Sequence, residues 1–218
     1  MNKKSVITVT LKAALTLDGK IATASGHSKW ITGEAARKKV HELRNQNDAV
    51  LVGINTVIAD DPQLTVRGII NGKSPVRIVL DSMARIPEKS KIFKSDGTPV
   101  IIVTGNKALS RKWPNLPDIK ILTSPTETPE IDWLLFELHK IGLKSLLVEG
   151  GSFIYASFLK SSFVDRLVLF ISPKIIGGQD ALSWCGELGV DHLDKAMQIE
   201  ISSIDAVGED WVIDSKIK

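Results

Sequence analysis

The 218-residue chain is 43% hydrophobic and 24% charged, a globular composition that excludes disorder and fibrous architecture. Its length supports one good-sized core and falls short of that at which a second domain becomes the expectation, so a single domain over residues 1–218 is predicted. The 28 basic and 25 acidic residues are dispersed, with a net charge of +3, which argues against nucleic acid and is compatible with a small anionic ligand held by a few cations.

Met1 to Lys4 followed by Ser5 to Leu17 has the outline of a signal peptide, but Thr8, Thr10 and Lys12 interrupt the apolar stretch and Asp18 with Lys20 closes it. The segment reads instead as a first strand. Ser5 to Ala14 alternates, with Ile7, Val9, Leu11 and Ala13 on one face and Thr8, Thr10, Lys12 and Ala14 on the other. Thr32 can cap a helix over Gly33 to Asn45, in which Ala36, Val40 and Leu43 recur at helical spacing and Arg44 lies at the end. Four short runs rich in branched residues, Ala49 to Val52, Val76 to Leu80, Val100 to Val103 and Ser145 to Val148, read as buried parallel strands. Ile131 to Lys140 is an amphipathic helix, with Trp133, Phe136 and Leu138 among its apolar positions and Gly142 beyond its end. Arg166 to Ile171 is a further strand closed by Pro173, and Met197 to Ile213 alternates like a terminal hairpin. Ile69 to Ser74 and Trp113 to Pro129 read as surface connections. The pattern predicts an α/β sheet covered on both faces with antiparallel strands at one edge, and no apolar run approaches the roughly 18 to 20 residues needed to cross a bilayer.

Cys185 is the single cysteine, which excludes an intrachain disulfide, a Cys-rich zinc site and a cysteine-bound iron–sulfur cluster and fits a reducing cytoplasm. His27, His41, His139 and His192 form no metal-ligand spacing with acidic residues, so no metal is expected. In Leu147-Val148-Glu149-Gly150-Gly151-Ser152 a strand runs into paired glycines and then a short helix over Phe153 to Leu159, an arrangement that lets backbone approach a phosphate. By itself a Gly-Gly turn is a weak signal, and the G-x-G-x-x-G fingerprint is absent. Gly53 to Arg67 gathers Thr56, two carboxylates at Asp60 and Asp61, and Arg67 within one short excursion, each of which has an ordinary structural alternative taken singly.

These two runs, together with Leu17-Asp18-Gly19-Lys20-Ile21-Ala22 and Gly26-His27-Ser28-Lys29-Trp30-Ile31-Thr32-Gly33, closely resemble the reductase domain of the bifunctional riboflavin-biosynthesis deaminase/reductase, a relative of dihydrofolate reductase in fold. Val79-Leu80-Asp81-Ser82, Val164-Asp165 and Pro173-Lys174-Ile175-Ile176-Gly177-Gly178 extend the resemblance, in order, over nearly the whole chain. It implies a dihydrofolate reductase-like three-layer α/β sandwich, mostly parallel, with antiparallel C-terminal strands. The implied reaction is NADPH-dependent reduction of 5-amino-6-(5-phosphoribosylamino)uracil, in which the ribose opens and its C1′ receives hydride.

By the same resemblance Ser28, Arg44, Leu64 and Arg67 surround the substrate and its phosphate, a task that suits the arginine fork. Glu149 matches a substrate-contacting acid, and Lys12 is its expected partner in catalysis; the alternative for Lys12 is an exposed edge-strand lysine. Ala14, Trp30, Thr56, Asp60, Ser82 and the turn Gly151, Ser152, Phe153, Ile154, Tyr155, Ala156 and Ser157 match NADP-contacting positions. Ser82 with Arg85 can receive the 2′-phosphate that distinguishes NADPH from NADH. Trp113, Trp133, Trp184 and Trp211 read as packing residues.

The chain lacks the His-x-Glu and Pro-Cys-x-x-Cys signature of the family's zinc deaminase, so a separate deaminase is expected. That leaves reduction of the diamino compound before deamination as an alternative. Ser28-Lys29-Trp30-Ile31-Thr32 looks more like the bacterial domain and favours the uracil form. Two rivals remain: a dihydrofolate or other pterin reductase, which the Ser28, Arg44 and Arg67 constellation disfavours, and a non-catalytic nucleotide-binding protein, which Lys12 with Glu149 disfavours. A homodimer is expected, with an exposed C-terminal sheet edge available to it.

Overall fold

The computed structural model describes residues 6–94, 96–108 and 118–218. In chain order they form β1 (Thr8–Thr16), β2 (Lys20–Ala22), α1 (Glu34–Asn45), β3 (Ala49–Gly53), α2 (Ile54–Asp60), β4 (Val76–Leu80), β5 (Val100–Thr104), β6 (Ile119–Thr123), α3 (Ile131–Lys140), β7 (Ser145–Val148), α4 (Ser152–Ser161), β8 (Arg166–Ser172), β9 (Leu182–Ser183), β10 (Ile199–Val207) and β11 (Asp210–Ile217). These elements fall into two compact units, residues 8–40 with 148–218 and residues 6–7 with 41–147, the boundaries lying inside α1 and β7.

In the first unit the strand order is β10-β11-β8-β1. β1 runs parallel to β8, in register from Thr10 opposite Arg166 to Thr16 opposite Ser172, while β11 is antiparallel to both β8 and β10. Val9, Leu11 and Ala13 are buried on one face of β1, and Thr10 is buried on the other, so both faces are covered. Arg166 ties β8 to β11 through a two-pronged contact with Asp214. β2 and β9 form a separate antiparallel pair. The helix expected over residues 153–159 is α4, one residue longer at its start and two at its end; Tyr155, Ala156, Phe158 and Leu159 are its inward side.

The second unit has the order β7-β3-β4-β5-β6, with β3, β4, β5 and β6 mutually parallel. Every residue of β3 and β5 is buried, which is why these strands read as unbroken apolar runs. In α3, Ile131, Leu134, Leu135 and Leu138 supply the buried stripe. Phe136 is on the opposite side, half exposed, with the Lys140 ammonium 5.4 Å from its ring centre, so its inclusion in the apolar face is corrected. Residues 54–60 form a helix, ended by Asp61 in the left-handed region with its amide on the Val57 carbonyl. One expectation on connections changes. Within the expected connection from Trp113 to Pro129 the structure has β6; Trp113 itself lies outside the described residues, as do Met1 to Ser5 at the start of the expected first strand.

Truncating Phe158, fully buried on α4, removes a large side chain from the first unit's core. The Phe158→Ala variant is expected to lose about 3–5 kcal/mol of stability in urea unfolding, with Phe136→Ala nearly neutral as the contrasting control.

Candidate active site

β1 projects Lys12 and Ala14 from one face, two residues apart. The Lys12 side chain is 12% exposed and that of Glu149, which follows β7, is 6% exposed; Nζ of the first lies 4.0 Å from Oε2 of the second. Lys12 is therefore not the exposed edge-strand lysine of the alternative reading. Its ammonium also sits 5.6 Å from the centre of the Phe170 ring. Beneath it the buried Tyr155 hydroxyl donates a 2.6 Å hydrogen bond to the Lys12 carbonyl. Burial, and then the Glu149 carboxylate, push the Tyr155 phenol well above its ordinary range, so the phenol remains a donor.

Such a pair contributes little to stability. Attraction of about 4 kcal/mol at an effective dielectric near 20 is set against a desolvation cost of several kcal/mol per ion, and 4.0 Å is too long for a hydrogen bond. A buried acid and base held close without a direct bond can exchange protons with a third group.

The turn between β7 and α4 is shaped by Gly150, whose φ of +146° suits glycine, and no side chain caps α4. The start of this ten-residue helix can receive an anionic group. Within residues 151–157, Phe153 and Ser157 are exposed and Ile154 and Gly151 half-buried, whereas Ser152, Tyr155 and Ala156 are buried. The Ser157 hydroxyl is taken by the Phe153 carbonyl. Tyr155 serves Lys12 and packs near Trp184, at a ring separation of 6.1 Å.

In the loop before α1, Ser28 is half-buried and Trp30 is 67% exposed, with the Arg37 guanidinium 4.4 Å from its ring centre. Gly33, immediately before α1, donates its amide to Asp210 Oδ2 at 2.7 Å. Farther along the first unit Asp18 clamps residues 176 and 177: it accepts the Thr16 hydroxyl at 2.6 Å and the amides of Ile176 and Gly177 at 3.2 and 2.7 Å. These bonds, the Thr16 hydroxyl first, lower its pKa from 3.8 to about 2.

The second unit carries the remaining candidates. Arg44 Nη1 donates to the Thr65 carbonyl at 3.1 Å, and His41 Nδ1 lies 3.1 Å from that carbonyl and 3.3 Å from the Arg67 amide. The structure thus gathers Arg44 and the 64–67 loop around His41, which the sequence reading set aside; its place one helical turn before Arg44 was the available signal. Leu64 is buried in the left-handed region and Arg67 is exposed. Thr56 and Asp60 are half-buried on α2, and Arg85 reaches Asn55 at 2.9 Å. Half-buried Ser82 has its carbonyl held by the Gly105 amide at 3.0 Å; a Cβ on Gly105 would come within 1.9 Å of the Glu127 carbonyl oxygen.

Residues 7–213 match the RibD C-terminal domain family. The chain is 41% identical to the riboflavin biosynthesis protein RibD of Aquifex aeolicus over 94% of its own length and 56% of that protein's. It is 39% identical to a 2,5-diamino-6-ribosylamino-4(3H)-pyrimidinone 5′-phosphate reductase of Methanothermobacter thermautotrophicus, over 96% of this chain and 98% of the relative. Among solved structures, a Thermotoga maritima diaminohydroxyphosphoribosylaminopyrimidine deaminase/5-amino-6-(5-phosphoribosylamino)uracil reductase superposes with a TM-score of 0.85 at 33% identity, covering 97% of this chain and 57% of that one. The chain thus spans just over half the length of the Aquifex and Thermotoga proteins and nearly all of the Methanothermobacter reductase.

The Asp18 clamp has a pH signature. Its folded pKa lies below the unfolded value, so its stabilisation is complete above the unfolded value and disappears as pH falls toward the folded one. The Asp18→Asn variant is expected to melt below the parent at pH 7, with the gap narrowing as pH is lowered through about 4 toward 2; thermal melts across that range check this.

Proposed function

Because the chain belongs to the RibD C-terminal domain family, we propose that it is the riboflavin-pathway reductase that uses NADPH to convert 5-amino-6-(5-phosphoribosylamino)uracil to the ribitylamino product, residues 1–218 acting as one reductase domain. The observation that carries this reading is the shielded pair of Lys12 and Glu149, 4.0 Å apart, with Glu149 assigned to the substrate by resemblance. When bound, NADPH supplies the hydride that C1′ receives. The Lys12 ammonium donates a proton to the ring oxygen as the C1′–O bond breaks, leaving the opened sugar as an iminium at C1′. The Glu149 carboxylate stabilises that positive charge, and Lys12 regains its proton from solvent. The balance is one hydride and one proton taken up per turnover.

Arg44, Arg67, Ser28 and Leu64 are assigned to the substrate and its phosphate. The cofactor is assigned to Ala14, Trp30, Thr56, Asp60, Ser82 and the α4 turn from Gly151 to Ser157. The uncapped start of α4 supports the phosphate placement and exposed Trp30 an apolar plane. Arg85, beside Asn55, supports a 2′-phosphate and hence NADPH over NADH.

Reduction of the diamino compound before deamination is the second reading, favoured by the near full-length match to the archaeal reductase. A cytoplasmic setting suits this chemistry; among the described residues no helix is long and apolar enough to cross a membrane. A homodimer is supported by the exposed Ile199, Ile201 and Ile204 on β10 at the sheet edge, and sedimentation of Ile201→Lys against the parent tests it.

Mixing the protein with NADPH and each pyrimidine while following absorbance decides between the two substrates; oxidation with neither overturns the assignment, and oxidation with dihydrofolate alone would make it a pterin reductase. The Glu149→Gln variant is expected to lose at least about a hundredfold in kcat with NADPH affinity retained. Arg67→Ala is expected to raise the pyrimidine KM at least about tenfold with a smaller change in kcat.

A further inference from the structure

The Lys174 side chain, in the loop after β8, has no part in the reaction just proposed, yet it makes two short, charge-assisted bonds. Its ammonium donates to the Trp30 carbonyl at 2.8 Å and to the Ile31 carbonyl at 2.7 Å. Trp30 has φ of +65°, in the left-handed region that a bulky side chain occupies at a cost. An ammonium shared by the two consecutive carbonyls on either side of the Ile31 α-carbon fixes the orientation of that stretch of backbone. The ring is held from its other end by Arg37, stacked 4.4 Å from its centre, whose Nη1 also donates to the Thr32 carbonyl at 2.8 Å.

The base of Lys174 is equally constrained. Its carbonyl accepts the Leu17 amide at 2.8 Å, and Asp18 grips the next two amides but one, at Ile176 and Gly177. The donor therefore projects from an anchored loop toward a backbone conformation that would otherwise relax. Trp30 is two-thirds exposed, so no core packing around its ring explains why that conformation is kept.

We propose that Lys174 is a positioning residue for the cofactor, acting through Trp30: it locks the left-handed turn that presents the indole as a binding plane. The inference rests on the assignment of Trp30 to the cofactor and deepens it. Without the ammonium, Trp30 relaxes to an ordinary backbone conformation, the ring swings away, and the dinucleotide loses its contact before the chemistry at Lys12 and Glu149 is touched.

The test measures NADPH affinity directly, by energy transfer from protein tryptophan to bound NADPH, alongside steady-state kinetics. Lys174→Met keeps the stem and removes the donors; it is expected to weaken NADPH binding about tenfold, with the pyrimidine KM and the kcat at saturating NADPH changed less than about twofold. Lys174→Arg, which retains donors, is expected to recover most of the affinity. In a Trp30→Ala background, Lys174→Met is expected to produce no further loss, because its effect is transmitted through that ring. Unchanged NADPH affinity in Lys174→Met, or full additivity with Trp30→Ala, overturns the inference. Should Lys174→Met fail to fold, Lys174→Leu, which also lacks donors, is put through the same cycle and judged by the same outcomes. If the parent binds NADPH and the cycle behaves as expected while neither pyrimidine is reduced, the positioning role stands and the proposed reaction falls. If the parent does not bind NADPH, both fall.

Discussion

An ammonium and a carboxylate kept nearly out of water, close but not bonded, set the terms for the first unit. The attraction between the Lys12 and Glu149 charges does not exceed the cost of burying them, so the surrounding structure has to hold them in place. It does so through backbone: the Tyr155 hydroxyl fixes the Lys12 carbonyl, β1 is zipped to β8 along its length, and Gly150 adopts a conformation that places Glu149 at the mouth of the β7–α4 turn. Tyr155 couples two requirements in one residue, since its ring fills the core side of α4 while its polar end serves the charged pair.

Loop geometry in both units is held by side chains reaching carbonyls and amides. In the first unit, Asp18 gathers Ile176 and Gly177, Asp210 takes the Gly33 amide, and Lys174 bridges two carbonyls beside Trp30. In the second, Arg44 and His41 converge on the Thr65 carbonyl and Asp81, wholly buried, receives the Ile86 amide behind Ser82. The common physics is that an unpaired polar backbone group in a half-buried loop is costly. A carboxylate or ammonium that satisfies two of them also selects one loop conformation from many.

This arrangement separates residues that touch ligands in the proposed reaction from residues that fix where those residues stand. His41, Asp18 and Lys174 belong to the second group, and Tyr155, assigned to the cofactor turn, also fixes the Lys12 carbonyl. Arg44 belongs to both, because the guanidinium assigned to the substrate phosphate also steadies the loop that carries Arg67. A phosphate reaching Arg44 would therefore meet a guanidinium with part of its fork already oriented.

Local pattern determined the elements with strong periodicity. The largely buried runs of β3, β4, β5 and β7 and the apolar stripe of α3 follow directly from residue order, because strand and helix impose fixed repeats. The order of motifs pointed to the family, and with it to Lys12 and Glu149 as partners although they stand far apart in the chain. The sequence was silent or misleading where the deciding partner is remote. β6, with its mixed exposure, became a strand only through pairing with β5, and residues 54–60 coil into α2 despite branched side chains. Phe136 turns outward because three leucines and an isoleucine already fill the other face of α3. That Lys12 is shielded, that Tyr155 serves its carbonyl, and that Lys174 reaches the backbone at Trp30 were decisions of tertiary structure alone. Each depends on a hydrogen bond or a close charge between residues more than a hundred positions apart, and no local repeat encodes such a distance.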